Sequence, residues 1–337
     1  MNWPPLLCRL ALGLALLAGL ATVSKASMAA PLRLMVAGID KQIYLPAVLA
    51  ERLGYFAAQG LQVELLSESS GVHAEDQLLT GAVQGVVGFY DHTIALQAKG
   101  KFVQAVVQLG QAPGEALLVA AARAEGLRSL AALEGRTLGV TGLGASTQGL
   151  TQYLAAQQGL KPAALHFVAV GSGDSFANAL QQGRIDAGTT SEPTATRLLR
   201  SGQAQLLADL RTPAATRQLL GGPYPGASLY VSTRWAASHA DELQRVVNAL
   251  VQALRYIAGH SAGQIADQLP PEFLQGDRAA YVAALQASLP MFTPDGVMPA
   301  GGPETVLRVM QATQRGLQGR VIDLERTYTD AFVRAAR

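Results

Sequence analysis

The sequence predicts an α/β protein of two lobes with a helical C-terminal region. Three observations carry that expectation. Segments of strand and helix period alternate from residue 32 to residue 232. Two Gly/Pro-rich junctions, at 110–114 (GQAPG) and 221–226 (GGPYPG), bracket about 110 residues with an alternation of their own. Beyond residue 238 the pattern becomes almost wholly helical.

The first residues read as an address. A short segment carrying Arg9 precedes the apolar run 10–23 (LALGLALLAGLATV), and small residues follow at 24–30 (SKASMAA). That is the order of a secretory signal peptide, expected over 1–29, with cleavage after Ala29 or Ala26. As a helix the run would rise only about 21 Å, short of a hydrocarbon core of roughly 30 Å. The lone cysteine, Cys8, lies ahead of the run, so the mature chain of about 308 residues has none. Disulfides, thiol catalysis and zinc–cysteine sites are thereby excluded. Of the 26 basic residues, Arg9 and Lys25 leave with the leader, and 24 then face 24 acidic ones. That balance gives no support for a nucleic-acid partner.

In chain order, Leu32, Leu34 and Val36 alternate with Arg33 and Met35, the period of a first strand. Residues 46–53 read as a helix closed by Gly54, and Leu61, Val63 and Leu65 alternate again. Further strands are expected at 83–90, 102–109, 116–121, 137–141, 165–170, 185–189, 205–210 and 228–232. Helices are expected at 75–79, 94–98, 146–158, 175–182, 194–200 and 213–220, implying parallel sheets covered on both faces. Ser238 and Asp241 have capping-box-like spacing. Leu243, Val246, Val247, Leu250, Val251, Leu254 and Ile257 then form one apolar face of a long helix. More helices are expected at 277–288, 303–315 and 323–335. The junctions divide the chain into lobe I (30–113), lobe II (114–225) and a return to lobe I with the C-terminal helices (226–337). Two crossings make a hinge, and the cleft between such lobes is a natural small-molecule site.

Four stretches resemble the nitrate/sulfonate/taurine class of ABC-importer binding proteins, within the thiamine-pyrimidine-precursor-binding-like superfamily. They are 38–65 (GIDKQIYLPAVLAERLGYFAAQGLQVEL), 130–161 (LAALEGRTLGVTGLGASTQGLTQYLAAQQGLK), 183–193 (GRIDAGTTSEP) and 321–336 (VIDLERTYTDAFVRAA). The resemblance implies a two-lobed periplasmic-binding-protein fold of type II. It also implies a periplasmic, monomeric protein that delivers a small organic anion (a sulfonate, taurine-like compound or aromatic acid) to a permease and ATPase. No cofactor, metal or catalytic residue is expected. The other readings are an enzyme on the same fold, pyrimidine-synthesis-like, and an exported ligand sensor. The cysteine-rich iron motif of the enzymatic relatives is absent.

Within that frame the candidate ligand residues lie where strands run into loops. The loop 142–147 lacks the last glycine of a dinucleotide fingerprint, since Thr147 stands there. Gly144, Ser146 and Thr147 are expected to receive an anion at a helix N-terminus, Ser146 serving otherwise as the N-cap. Ser172 precedes the next helix, with Asp174 read as its cap. Tyr90 and His92 either face the cleft or pack away from it. Asp40, Lys41 and Tyr44 follow the first strand, where the class begins its ligand site; Lys41, one of four lysines in the mature chain, suits an acidic ligand or a solvated loop. Thr189, Thr190, Ser191 and Glu192 end a lobe II strand where polar side chains suit a cleft wall, Glu192 being equally suited to a salt bridge. His73, Glu75 and Asp76 read as an acidic loop rather than a metal site.

Overall fold

The computed structural model describes residues 30–274 and 276–336. The leader expected over 1–29 lies outside the described residues. From Pro31 onward the chain forms a single unit built on two five-stranded sheets. The first sheet orders β2 (Val63–Ser67), β1 (Leu32–Val36), β3 (Gly85–Phe89), β10 (Ala227–Ser232) and β4 (Val103–Gln108). The second orders β7 (His166–Ala169), β6 (Thr137–Val140), β8 (Ala187–Ser191), β5 (Glu115–Ala120) and β9 (Ala204–Leu210).

The sheets are mixed, not parallel as expected. β10 runs antiparallel to β3 and β4, and β5 runs antiparallel to β8 and β9. Both are the strands that follow a crossing between sheets. Each enters its sheet from the hinge end, without a helix to carry the chain back, so its direction is reversed.

Side-chain alternation explains how the second sheet is covered. On β5, Leu117 and Val119 join the large core, while Ala116, Leu118 and Ala120 join a smaller one around Phe176 and Leu198. A strand buried on both faces reads as an apolar run, as ALLVA does. In the helix Ala240–Gly259 all seven residues of the predicted face are buried.

The two crossings are pinned together. The Leu109 N–H donates to the Ala227 carbonyl at 2.8 Å, and the Gly226 N–H to the Gly110 carbonyl at 3.0 Å. Any Cβ at Gly226 would stand 2.6 Å from the Ala112 carbonyl oxygen, which explains the glycine.

Two local expectations fail near the C-terminus. Ser238 does not cap the long helix. It ends the preceding turn, Thr233–Ser238, and its hydroxyl donates back to the Arg234 carbonyl at 3.1 Å. The helix expected over 323–335 is two short pieces, Leu324–Arg326 and Ala331–Arg334. Between them the chain pairs with β4, the Ala105 N–H donating to the Thr327 carbonyl at 2.9 Å and the Thr329 N–H to the Ala105 carbonyl at 2.8 Å. An open sheet edge outcompetes a helix built from Thr, Tyr and Thr. The helix Gly302–Thr313 packs on Ser146–Ala156, with Arg308 donating to the Tyr153 hydroxyl and the Leu220 carbonyl, both at 2.6 Å. The C-terminal region thus touches elements of both sheets.

Candidate ligand-binding site between the two sheets

Loops at the strand ends of the two sheets meet across a seam. From the first sheet come Lys41 and Tyr44 after β1, and Phe89 and His92 at the end of β3. From the second come Glu115 at the start of β5, Thr141 after β6, Ser146 and Thr147 on the next helix, and Ser191 closing β8. They enclose a cavity of ≈ 10 Å³, room for about one water. A second chamber of ≈ 580 Å³ shares His92 and Ala145 with it and is walled by Val72, Glu75, Asp91 and Lys99 among others. Clefts outside the carboxyl ends of parallel strands are where open α/β sheets hold ligands.

Glu115 is the most constrained polar group here. It is only 3% exposed, and its Oε1 accepts from the Ser146 hydroxyl at 3.0 Å. Its Oε2 is buried without a hydrogen-bond partner. Burial above all pushes its carboxyl up to about 8, against the Ser146 hydrogen bond and Lys41 and with the charge of Asp91. Burial likewise lowers the Lys41 ammonium, against the charges of Asp40 and Glu115. The Lys41 Nζ donates to the Ala37 carbonyl at 2.6 Å.

His92 stands between the cavity and the chamber. Its Nδ1 lies 2.7 Å from the Glu75 Oε2, and its Nε2 lies 3.9 Å from the Asp91 Oδ1. Burial works to lower the imidazole, but the Glu75 hydrogen bond and the charges of Asp91 and Glu75 raise it overall. Burial also raises Asp91, whose Oδ1 has no hydrogen-bond partner. Gly71 makes room for the ring, since a Cβ there would stand 2.7 Å from the His92 Nε2.

The candidates from the sequence divide. Lys41, Tyr44, His92, Ser146 and Thr147 line the small cavity, and Gly144 lines the chamber with φ +87°. Ser146 is not the N-cap, a position Ala145 holds. Thr147 is engaged locally, its Oγ1 accepting from the Thr141 N–H at 3.1 Å. Asp40 faces the loop before Gly173–Gln181, where a Cβ at Gly173 would stand 3.1 Å from its Oδ2. Ser172, and not Asp174, occupies the N-cap position of that helix; Asp174 pairs with Arg197 at 2.7 Å. Tyr90 turns away, its hydroxyl 2.5 Å from the Thr327 Oγ1. Thr190 is buried within β8. Glu192 is spent inside the second sheet's own lobe, accepting from the Thr196 N–H at 2.8 Å and from the Arg211 guanidinium at 2.7 Å. Its backbone does reach the seam, where its carbonyl accepts from the Gln42 N–H at 2.9 Å.

Sequence reasoning passed over Glu115, Glu75 and Thr141; Ser191 belongs to the polar strand end 189–192 that the sequence offered as a cleft wall. Glu115 left a signal: it is the only acidic residue between Asp91 and Glu125, and it abuts an apolar strand. Glu75, read as part of an acidic loop, lies buried in the helix Gly71–Leu79.

The family described as NMT1/THI5 like matches residues 43–262. The chain belongs to that family. A solved protein of Bordetella bronchiseptica RB50 is 33% identical to this NMT1/THI5-like chain, covers 91% of it and 96% of its own length, and has a TM-score of 0.88. The alkanesulfonate-binding protein SsuA from Xanthomonas axonopodis pv. citri, bound to MOPS, has a TM-score of 0.70 at 21% identity, with 90% of this chain and 99% of that one covered. The periplasmic nitrate-binding protein NrtA from Synechocystis PCC 6803 has a TM-score of 0.74 at 13% identity, with 90% and 87% covered. These last two share the fold with the NMT1/THI5-like chain. The architecture is the two-lobed type II periplasmic-binding-protein fold. No curated protein matches the sequence.

Proposed function

We propose that this chain is the exported substrate-binding component of an ABC importer. It works in the periplasm and hands a small organic molecule to a permease and ATPase. It is a binding protein and not an enzyme. The lobes 30–113 and 114–225, the first completed by the return at 226–337, close on the ligand about the paired crossings. The observation that carries this reading is the enclosed polar cavity at the seam, drawn from both sheets: Lys41, Tyr44 and His92 on one side, Glu115, Thr141, Ser146, Thr147 and Ser191 on the other. A ligand gripped from both sides favours the closed form, because only differential contacts shift such an equilibrium.

The organic acid expected from the sequence finds less support. The Ser146 and Thr147 hydroxyls are engaged within the protein, Lys41 donates to a carbonyl, and Glu115 and Asp91 bring two carboxyls to the seam. Of the three classes named, only a taurine-like compound also carries a cation.

A thermal-shift screen of small metabolites tests the function. A compound at about 100 times its Kd adds roughly 2.7 kcal/mol of stability, so one class should raise Tm clearly and be recovered unchanged. A compound consumed with release of product would contradict a binding role.

A further inference from the structure

We propose that the ligand presents a nitrogen-borne cation, an ammonium or an amidinium, to the free Oε2 of Glu115. The proposal rests on the reading of the seam as a ligand site and adds the chemistry of the head it selects. Glu115 is 97% removed from solvent, lines the enclosed cavity, and leaves Oε2 with no donor among the described residues. A buried carboxyl oxygen without a partner costs stability, and more when it is charged than when it is neutral. The Ser146 hydroxyl already holds Oε1 in place, so Oε2 has a fixed direction. The Asp91 Oδ1, on the chamber side, has no hydrogen bond and only the His92 Nε2 at 3.9 Å, and adds a second carboxyl nearby. A protonated Glu115 offers an anionic head a single hydrogen bond, whereas the ionised pair of Glu115 and Asp91 repels it. A cation meets them with complementary charge, and N–H donors to a carboxylate make the strong, short class of hydrogen bond.

The protonation balance follows. Near neutral pH the unliganded carboxyl holds its proton, since burial sets it at about 8. The cation favours the carboxylate, so binding takes the form Glu115–COOH plus ligand–NH₃⁺ giving Glu115–COO⁻ paired with ligand–NH₃⁺ plus a released proton. The groups bearing on Glu115 are Lys41 and Tyr44 after β1, Asp91 and His92 at the end of β3, and Tyr224 ahead of β10. Lys41 and Glu115 each favour the other's charged form, so Lys41 takes up part of what Glu115 loses. The net release is a fraction of one proton that grows as pH falls from 8 to 6.

The test compares matched probes of one carbon frame on the intact mature chain: ethylamine, propionamidine, propionate, ethanesulfonate and the neutral propionamide, then benzamidine, benzoate, benzenesulfonate and benzamide. The cations should raise Tm and the anions should not. Calorimetry of the best cation in buffers of different ionisation enthalpy should show proton release at pH 7. Glu115→Gln, which keeps the acceptor for Ser146 and loses the charge, should weaken that cation by about tenfold or more and abolish the release. Stabilisation by the anions with none by the cations overturns the proposal and leaves a ligand-binding seam intact. No stabilisation by these probes, together with none across the metabolite screen, overturns the binding reading itself. Proton linkage is measured on the unaltered chain, so the proposal stays testable if Glu115→Gln fails to fold.

Discussion

Glu115 ties stability to pH through its buried carboxyl. Between pH 5 and 8 the folded chain keeps a proton on this carboxyl that the unfolded chain has released, because burial sets it at about 8. Folding therefore takes up a proton, and raising the pH over that range opposes folding. The Tm of the unaltered protein should fall more steeply from pH 5 to 8 than that of Glu115→Gln, by differential scanning calorimetry. Parallel curves would mean that Glu115 is ionised throughout. At this scale the sequence was half legible. Lys41, Tyr44, His92, Ser146 and Thr147 could be found because loops after strands gather at one edge. Tyr90 misled, because two residues at the start of a helix point about 200° apart. His92 takes the cavity side and Tyr90 the side of Thr327. Glu115 stayed hidden because a strand read by period begins at the first apolar residue, here Ala116, whereas the sheet takes in its polar neighbour.

Among the elements, helix starts decide how closely the seam can be built. Gly71 opens Gly71–Leu79 against the His92 ring, whereas Gly259 closes Ala240–Gly259 with nothing within 4 Å of where its Cβ would be. Gly71→Ala should cost about 1–3 kcal/mol, since the ring and its Glu75 partner must move. Gly259→Ala should be neutral or stabilise by up to about 1 kcal/mol. Chemical denaturation of both variants checks the pair, and equal effects would contradict the packing described at His92. Strand positions could be read to within a few residues because period two is a local property. Strand direction could not, because alternation is the same read forwards or backwards; the reversal of β5 and β10 comes from the crossings. The tail beyond residue 323 escaped for a related reason, since the open edge of β4 that recruits Thr327 to Thr329 is a feature of the folded sheet alone.

For the whole molecule, the central claim is that two lobes close on a ligand held at their seam. Contacts across the seam include the Gln42 N–H to the Glu192 carbonyl, Arg308 to the Tyr153 hydroxyl, and Gly142 opposite Ser70, where a Cβ would stand 2.9 Å from the Ser70 Cβ. If the lobes rotate about the crossings at Gly110 and Gly226, these contacts are the ones that must part. The Gly/Pro junctions fall where the chain passes from one sheet to the other. The bridging of both lobes by Gly302–Thr313 could not be read from the sequence, because a helical period does not say which surface it will cover. Small-angle scattering of the mature chain, with and without the compound that most raises its Tm, tests the claim directly. The account predicts a smaller radius of gyration with saturating ligand, and a smaller change in Gly142→Val, whose side chain stands in the closing seam. A compound that binds tightly while the radius of gyration of the unaltered protein stays the same would contradict it.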